Sequence, residues 1–200
     1  MAERHRDLDR LLTFVDAVVA IAITLLVLPL AEGGAEVERV GAGEVLRAHA
    51  DELLGFGLSF VVIARLWVGQ HRIVSGLVHQ STVLIWLLLA WAFTIVFLPF
   101  PTSLVAATDH DAGAKILYIG TMAVSSLVLT LIAVVIGRDR SLRDTDETPG
   151  VVQSSATTVA FLVALVITLL FPATSYWPLL VLALVDPVAR LWHRYDGVRA

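Results

Sequence analysis

The sequence predicts an all-α, polytopic membrane protein, and three observations carry that reading. Apolar residues make up 58% of the chain and charged residues only 16%, with a mean hydropathy of +0.83, whereas soluble domains have about 45–50% apolar and about 25% charged residues. Several separate apolar runs reach the ~20 residues that a helix needs to cross ~30 Å of hydrocarbon. The links between these runs alternate between basic and acidic. One water-soluble core could not hide so much apolar surface, and a bilayer can.

Six helices are expected, at about 10–30, 50–74, 81–105, 112–136, 151–172 and 176–193, in one domain over residues 1–200. The first apolar run is Leu11 to Leu30. A cleaved leader is its rival reading, because Arg4 and Arg6 precede it and small residues follow near Ala31 to Ala35. The run is long for a leader and contains Asp16, which argues for a retained span. A polar, Gly/Glu-rich stretch from Ala31 to Asp51 leads to the second run, Leu53 to Val74. A short link with His79, Gly76 to Ser81, precedes the third, Val83 to Val105. An acidic link, Asp109 to Asp111, precedes the fourth, Ala114 to Ile136. A mixed-charge loop, Gly137 to Gly150, precedes the fifth, Val151 to Pro172, and a tight turn at Pro172 to Pro178 precedes the last, Tyr176 to Trp192. Pro29, Pro99, Pro101, Pro172 and Pro178 sit at expected helix ends, where a missing N–H costs least. Pro187 falls inside a span.

Lys and Arg in short links are retained on the cytoplasmic side. In a six-span arrangement Arg4, Arg6, Arg10, Arg72, Arg138, Arg140, Arg143, Arg190, Arg194 and Arg199 share one side, and only Arg39, Arg47 and Lys115 lie on the other. Both termini are therefore expected in the cytoplasm. The opposite links carry Glu32, Glu36, Glu38, Glu44, Asp51, Glu52, Asp109 and Asp111, and an acidic face concentrates cations.

The chain has no cysteine, which excludes disulfides, thiolate metal sites and thiol nucleophiles. His49, His71 and His79 lack metal-ligand spacing, and Asp109-His110-Asp111 reads as a solvated loop. Gly55-Phe56-Gly57 is a lone Gly-x-Gly that suits close helix approach better than a nucleotide loop. No catalytic constellation, metal site or cofactor is expected. The basic residues report topology and form no nucleic-acid patch.

Asp16 is the informative residue of the first span. A central acidic residue costs roughly 2.5–3.5 kcal/mol on insertion, so it needs a partner or water. The second span returns toward the cytoplasm and brings Arg65 and Trp67 to a similar depth, so either the guanidinium or the indole N–H could bond the carboxylate. A structural staple and direct ion coordination both remain open. At about 100° per residue, Phe14, Ala17, Ile21, Thr24, Leu25 and Leu28 share one stripe, and Asp16 projects roughly 140° away from Ile21. Such a stripe serves packing or a pore, and the Thr24 hydroxyl is expected to bond back to the carbonyl of Ala20.

Arg10-Leu11-Leu12-Thr13-Phe14-Val15-Asp16, followed by Ala20-Ile21-Ala22-Ile23-Thr24-Leu25-Leu26-Val27-Leu28-Pro29, resembles the opening signature of the lysosomal-type potassium channels of the transmembrane-protein-175 family. Trp67-Val68-Gly69-Gln70-His71-Arg72 resembles the end of that family's second helix, and Leu98-Pro99-Phe100-Pro101-Thr102 the end of its third. The resemblance covers about the first half of the chain. Val15 replaces the signature serine, and Gln70 stands where many relatives have a first histidine, so the polar network around Asp16 is partly rewired. That network is taken as Arg10, Phe14, Asp16, Arg65, Trp67 and His71.

The resemblance implies a bacterial, single-repeat member of the family. It implies a homotetramer around a central pore lined by the first helix, with Ile21 as the narrowest ring, Leu25 and Leu28 above it and Thr24 beside it. The implied function is a potassium-permeable cation channel of modest selectivity in a bacterial plasma membrane, with the lipid bilayer and potassium or other monovalent cations as its partners. No Thr-Val-Gly-Tyr-Gly run is present to supply a carbonyl filter. The competing readings are a proton-permeable pathway, suggested by His71, His79 and Asp16, and a secondary transporter, for which no internal repeat is evident.

Overall fold

A computed structural model describes residues 2–32, 41–108, 111–143 and 150–170. Helix α1 (Ala2–Leu25) leads into a short α2 (Leu28–Glu32), and α3 (Ala42–Ala48) precedes α4 (Ala50–Val74). Then come α5 (Thr82–Phe97), α6 (Pro99–Ala107), α7 (Ala112–Arg138), a 3-10 turn (Arg140–Leu142) and α8 (Val151–Leu170). Five segments among the described residues are long and apolar enough to span a membrane: Arg6–Ala31, Ala50–Val74, Thr82–Ala107, Ala112–Arg138 and Val151–Leu170. The expected sixth helix at 176–193 and the turn before it lie outside the described residues.

Prolines break two of the expected continuous helices. Pro29 has no N–H for the carbonyl of Leu25, the residue where α1 stops. The chain there tightens into bonds three residues apart, Leu26 N to Ile23 O and Val27 N to Thr24 O, both 3.3 Å. Pro99 likewise cannot reach the Ile95 carbonyl, which accepts from Leu98 N at 3.2 Å instead, and α6 restarts with Pro99 in its first turn. Pro29, Pro99 and Pro101 thus mark breaks within spans, where the sequence reading had placed them at ends. A further element, α3, forms inside the polar, Gly/Glu-rich stretch between the first two apolar runs.

The other boundaries follow local chemistry. Ser81 Oγ accepts from Leu84 N at 3.2 Å and caps α5. Asp111, read from sequence as part of a solvated acidic link, caps α7 by accepting from Gly113 N and Ala114 N at 3.2 and 3.3 Å. After α4 the chain reverses through Ser75 (φ −62°, ψ 129°) and Gly76 (φ 83°), closed by Leu77 N to Val74 O at 3.1 Å. This is a type II turn, whose third position requires positive φ and therefore glycine. Val78 N then donates to Leu142 O at 2.8 Å. That bond joins the link after α4 to the segment after α7, gathering Arg72, Arg138, Arg140 and Arg143 at one end of the bundle. The Asp139 carboxyl, exposed at this end, is held below the usual carboxylate range by the Ser141 hydroxyl and then by the Ser141 N–H.

Helix α7 is the central element and packs against α4, α5, α6 and α8. Lipid is as apolar as leucine, so helices in a bilayer associate through close packing and interhelical hydrogen bonds. The buried face of α7 suits both, with Ala114, Ala123, Ser125, Ser126 and Ala133 presenting small side chains. Ser126 Oγ and Thr130 Oγ1 each lie 2.9 Å from Thr158 Oγ1 of α8. Ser59 Oγ of α4 meets Thr102 Oγ1 of α6 at 3.0 Å and Tyr118 Oη of α7 at 2.8 Å, a buried three-helix junction.

Asp111→Ala should lower the stability of the purified protein by about 1 kcal/mol, the usual cost of a lost N-cap. Thermal melting in detergent would read it, and an unchanged midpoint would show that the cap carries no weight.

Candidate functional site: the uncovered face of the first helix

Helix α1 carries two apolar faces with different fates. Leu8, Val15, Val19, Ala22 and Leu26 recur at spacings of three, four and seven residues and are 0–4% exposed, packed into the core. The helix meets α5, with further contacts to α4 and α6. Val15, at the position of the signature serine, is fully buried, which an apolar side chain tolerates without a partner. On the other side Phe14, Ile21, Leu25 and Leu28 are 54%, 59%, 42% and 59% exposed, with Ala17 and Thr24 exposed among them. This is the stripe expected from helical periodicity, and the subunit leaves all of it uncovered. The Thr24 hydroxyl bonds the Ile21 carbonyl at 2.7 Å rather than that of Ala20, so its proton is committed to the helix.

The polar anchor lies to the side of this stripe. Trp67 Nε1 of α4 donates to Asp16 Oδ1 at 2.8 Å. The Trp67 ring in turn sits against His71 one turn on, with centroids 5.8 Å apart and planes tilted by 34°. Asp16, Trp67 and His71 are thereby brought together. Arg65 is not on the Trp67 side, because two residues along a helix turn the side chain through about 200°; it lines a cavity against α7 and α8. Arg10 and Phe14 are exposed. Six residues place Arg10 about 120° from Asp16, on the Phe14–Ile21 azimuth and away from the anchor. Gln70, the replacement for an expected histidine, is 2% exposed, and its Oε1 has no hydrogen-bond partner among the described residues.

The hydroxyl junctions Ser59–Thr102–Tyr118 and Ser126–Thr130–Thr158 were not singled out by sequence reasoning. Their signal was isolated Ser and Thr residues inside strongly apolar runs, which cannot be separated in sequence from hydroxyls bonded to their own helix. At the end of the bundle opposite the arginines, a cavity of about 800 Å³ is bordered by Leu25, Leu28 and Pro29 together with His49 and Glu52, whose Nδ1 and Oε2 are 3.0 Å apart.

Five apolar spans among the described residues, hydroxyl-mediated helix contacts and an apolar helix face left open define an integral membrane protein of the polytopic α-helical class. The family model described as endosomal/lysosomal potassium channel TMEM175 matches residues 10–99. A potassium channel of Chamaesiphon minutus is 35% identical over 106 residues, covering 52% of this chain and 52% of the relative. A potassium channel of Streptomyces collinus is 31% identical over 128 residues, 62% of this chain and 58% of the relative. The chain therefore spans little more than half the length of these curated relatives in the matched regions. The crystal structure of a lysosomal potassium-selective channel TMEM175 homolog from Chamaesiphon minutus superposes with a TM-score of 0.75 at 26% identity, covering 92% of this chain and 98% of that one. The chain is thus similar to the TMEM175 family over its first half and to this solved homolog over nearly its whole length.

Trp67→Phe removes the donor that the described residues place on Asp16 Oδ1 and should cost about 1 kcal/mol or somewhat more, because the half-buried carboxylate is left without that bond. Asp16→Asn in the Trp67→Phe background should cost less than Asp16→Asn alone. A double-mutant cycle of melting free energies checks this, and simple additivity would mean that the two side chains do not act as a pair.

Proposed function

We propose that the chain is one subunit of a potassium-permeable cation channel in which copies of α1 line a shared axial pathway. The observation that carries this reading is the Phe14–Ile21–Leu25–Leu28 stripe, continuous, apolar and uncovered in the subunit although the opposite face of the same helix is fully packed. One lining helix per subunit cannot enclose a pathway, so closure requires a symmetric ring, proposed as a homotetramer. The relatives named as potassium channels support the cargo. The proposed topology has a sixth helix at 176–193 and both termini in the cytoplasm, on the basic side of the bundle, in a bacterial plasma membrane.

In this arrangement Ile21 forms the constriction, with Thr24, Leu25 and Leu28 lining the wider stretch outward. A ring of isoleucine offers no ligands, so an ion must carry or shed its water to pass. Potassium is held less tightly by water than sodium and loses less, which gives a modest preference without a carbonyl filter, and an apolar ring can close by dewetting. Asp16 acts as a staple: its carboxylate is engaged by Trp67 and lies well off the Ile21 azimuth.

Ile21→Asn and Ile21→Ala should each raise single-channel conductance severalfold and bring the potassium-to-sodium permeability ratio toward one in planar bilayers. If both variants conduct as the wild type does, Ile21 is not the narrowest point. A reversal potential that tracks the proton gradient and ignores potassium would favour a proton pathway instead, and saturable flux without unitary currents would favour a transporter.

A further inference from the structure

Helices α1 and α7 each pack against both α4 and α5, so the four enclose a common interior with α4 and α5 facing one another across it. Three polar groups on these helices lack the hydrogen bonds that buried polar groups normally make. Gln70 of α4 is 2% exposed, and its Oε1 has no partner among the described residues. The same is true of Trp91 Nε1 on α5 and Ser125 Oγ on α7, whose residues are 0% exposed. Other buried hydroxyls in the spans are satisfied. Thr94 and Thr168 bond back to Trp91 O and Ala164 O, while Ser59 and Thr158 pair between helices. Ser125 does neither.

Helical register places the three at similar depth. Ser59, Thr102 and Tyr118 meet at the buried hydroxyl junction. Gln70 lies eleven residues from Ser59 and Trp91 eleven from Thr102, both toward the arginine end of the bundle, because α4 and the α5–α6 span run in opposite directions. Eleven residues advance a helix by about 16 Å and return it to within about 20° of the starting azimuth. Gln70 therefore keeps the face of Ser59, and Trp91 belongs to the core stripe of Leu84, Leu88, Ile95 and Leu98, all fully buried. Ser125 follows Tyr118 by seven residues, about 10 Å in the same direction and again within about 20° of its azimuth. The three residues thus differ in depth by only about 6 Å. Packed neighbours lie 8–10 Å apart, so helices facing across a ring of four are separated by roughly 11–14 Å. A glutamine and a tryptophan side chain nearly span that gap without meeting.

We propose that this interior is a binding site for water, shared by Trp91 Nε1, Gln70 Oε1 and Ser125 Oγ. The set comprises a donor, an acceptor and a hydroxyl able to serve as either, so its ligand has to donate and accept at once. An anion would be turned away by the Gln70 carbonyl oxygen and a bare cation by the indole N–H. Water suits all three groups, and buried waters typically make about three hydrogen bonds. Helix α1 cannot complete the set, because the residues it buries are the apolar Leu8, Val15, Val19, Ala22 and Leu26. A source of water lies alongside. A cavity of about 300 Å³ between α4, α7 and α8, with room for roughly ten waters at about 30 Å³ each, reaches the exposed Arg72 at the arginine end. Gly69 and Ser126, the chain neighbours of Gln70 and Ser125, both line it.

The test uses the full-length protein in nanodiscs, labelled with nitrogen-15 at the tryptophan indoles, and its outcome is independent of whether the chain conducts. The Trp91 resonance is identified by its loss in Trp91→Phe, or in Trp91→Tyr should the first variant fail to fold. In the wild type this indole proton should exchange magnetisation with water although its residue is fully buried. Gln70→Met and Ser125→Ala each remove one partner with little change of volume. Each should weaken that transfer at least twofold and lower the melting midpoint by about 2–4 °C. A dry interior predicts the reverse, because taking away a buried polar group that bonds nothing is neutral or stabilising. No transfer in the wild type, transfer that neither variant weakens, or midpoints unchanged or raised in both variants overturns the proposal.

Discussion

The hydrogen bond from Trp67 Nε1 to Asp16 Oδ1 is the constraint on which the site depends. A carboxylate in a membrane span must find a donor, and this one finds it on a neighbouring helix that runs the opposite way. The bond consequently sets the rotation of α1 about its own axis. With Asp16 turned toward α4, and Val15, Val19 and Ala22 turned into the core, the Phe14–Leu28 stripe has nowhere to point except out of the subunit. The polar anchor and the open apolar face are two consequences of one rotation.

The same economy governs the backbone. Two of the described spans contain prolines, and each interruption is repaired locally by bonds three residues apart. The break at Leu98 has a use beyond repair. It redirects the chain so that Thr102, bonded to the Leu98 carbonyl at 2.8 Å, also meets Ser59. The Pro-Phe-Pro-Thr element is therefore a joint between α4, α6 and α7 rather than the end of a helix.

Around that joint the bundle is held by small residues and hydroxyls. Interhelical hydrogen bonds of this kind average about 0.6 kcal/mol in membranes, so no single one dominates. Their value lies in register: Ser126, Thr130 and Thr158 can satisfy one another at only one relative height of α7 and α8. Fixing that height also sets the first turns of α8 opposite Arg65 and Arg72. The junction thereby shapes the neighbouring polar cavity, which Ser126 itself helps to line.

Much of this was legible without coordinates. Helix class, the places of the described spans and the apolar stripe of α1 follow from composition and the 3.6-residue period, because a bilayer tolerates little besides closed helices and amphipathic periodicity survives in any context; that the stripe is left uncovered is a fact of the packing. That Asp16 needed a partner was equally plain. Which partner it took was not: Arg65 and Trp67 were both in range, and only packing against α7 and α8, which turns Arg65 away, decided for the indole. The same holds for the Thr24 hydroxyl, for α3 within the polar stretch and for the proline breaks, where one residue of shift changes which carbonyl is left over. The sequence by itself determined which groups had to be satisfied. The tertiary structure chose by what, because hydrogen bonding is directional and depends on the rotation and height of helices far apart in the chain.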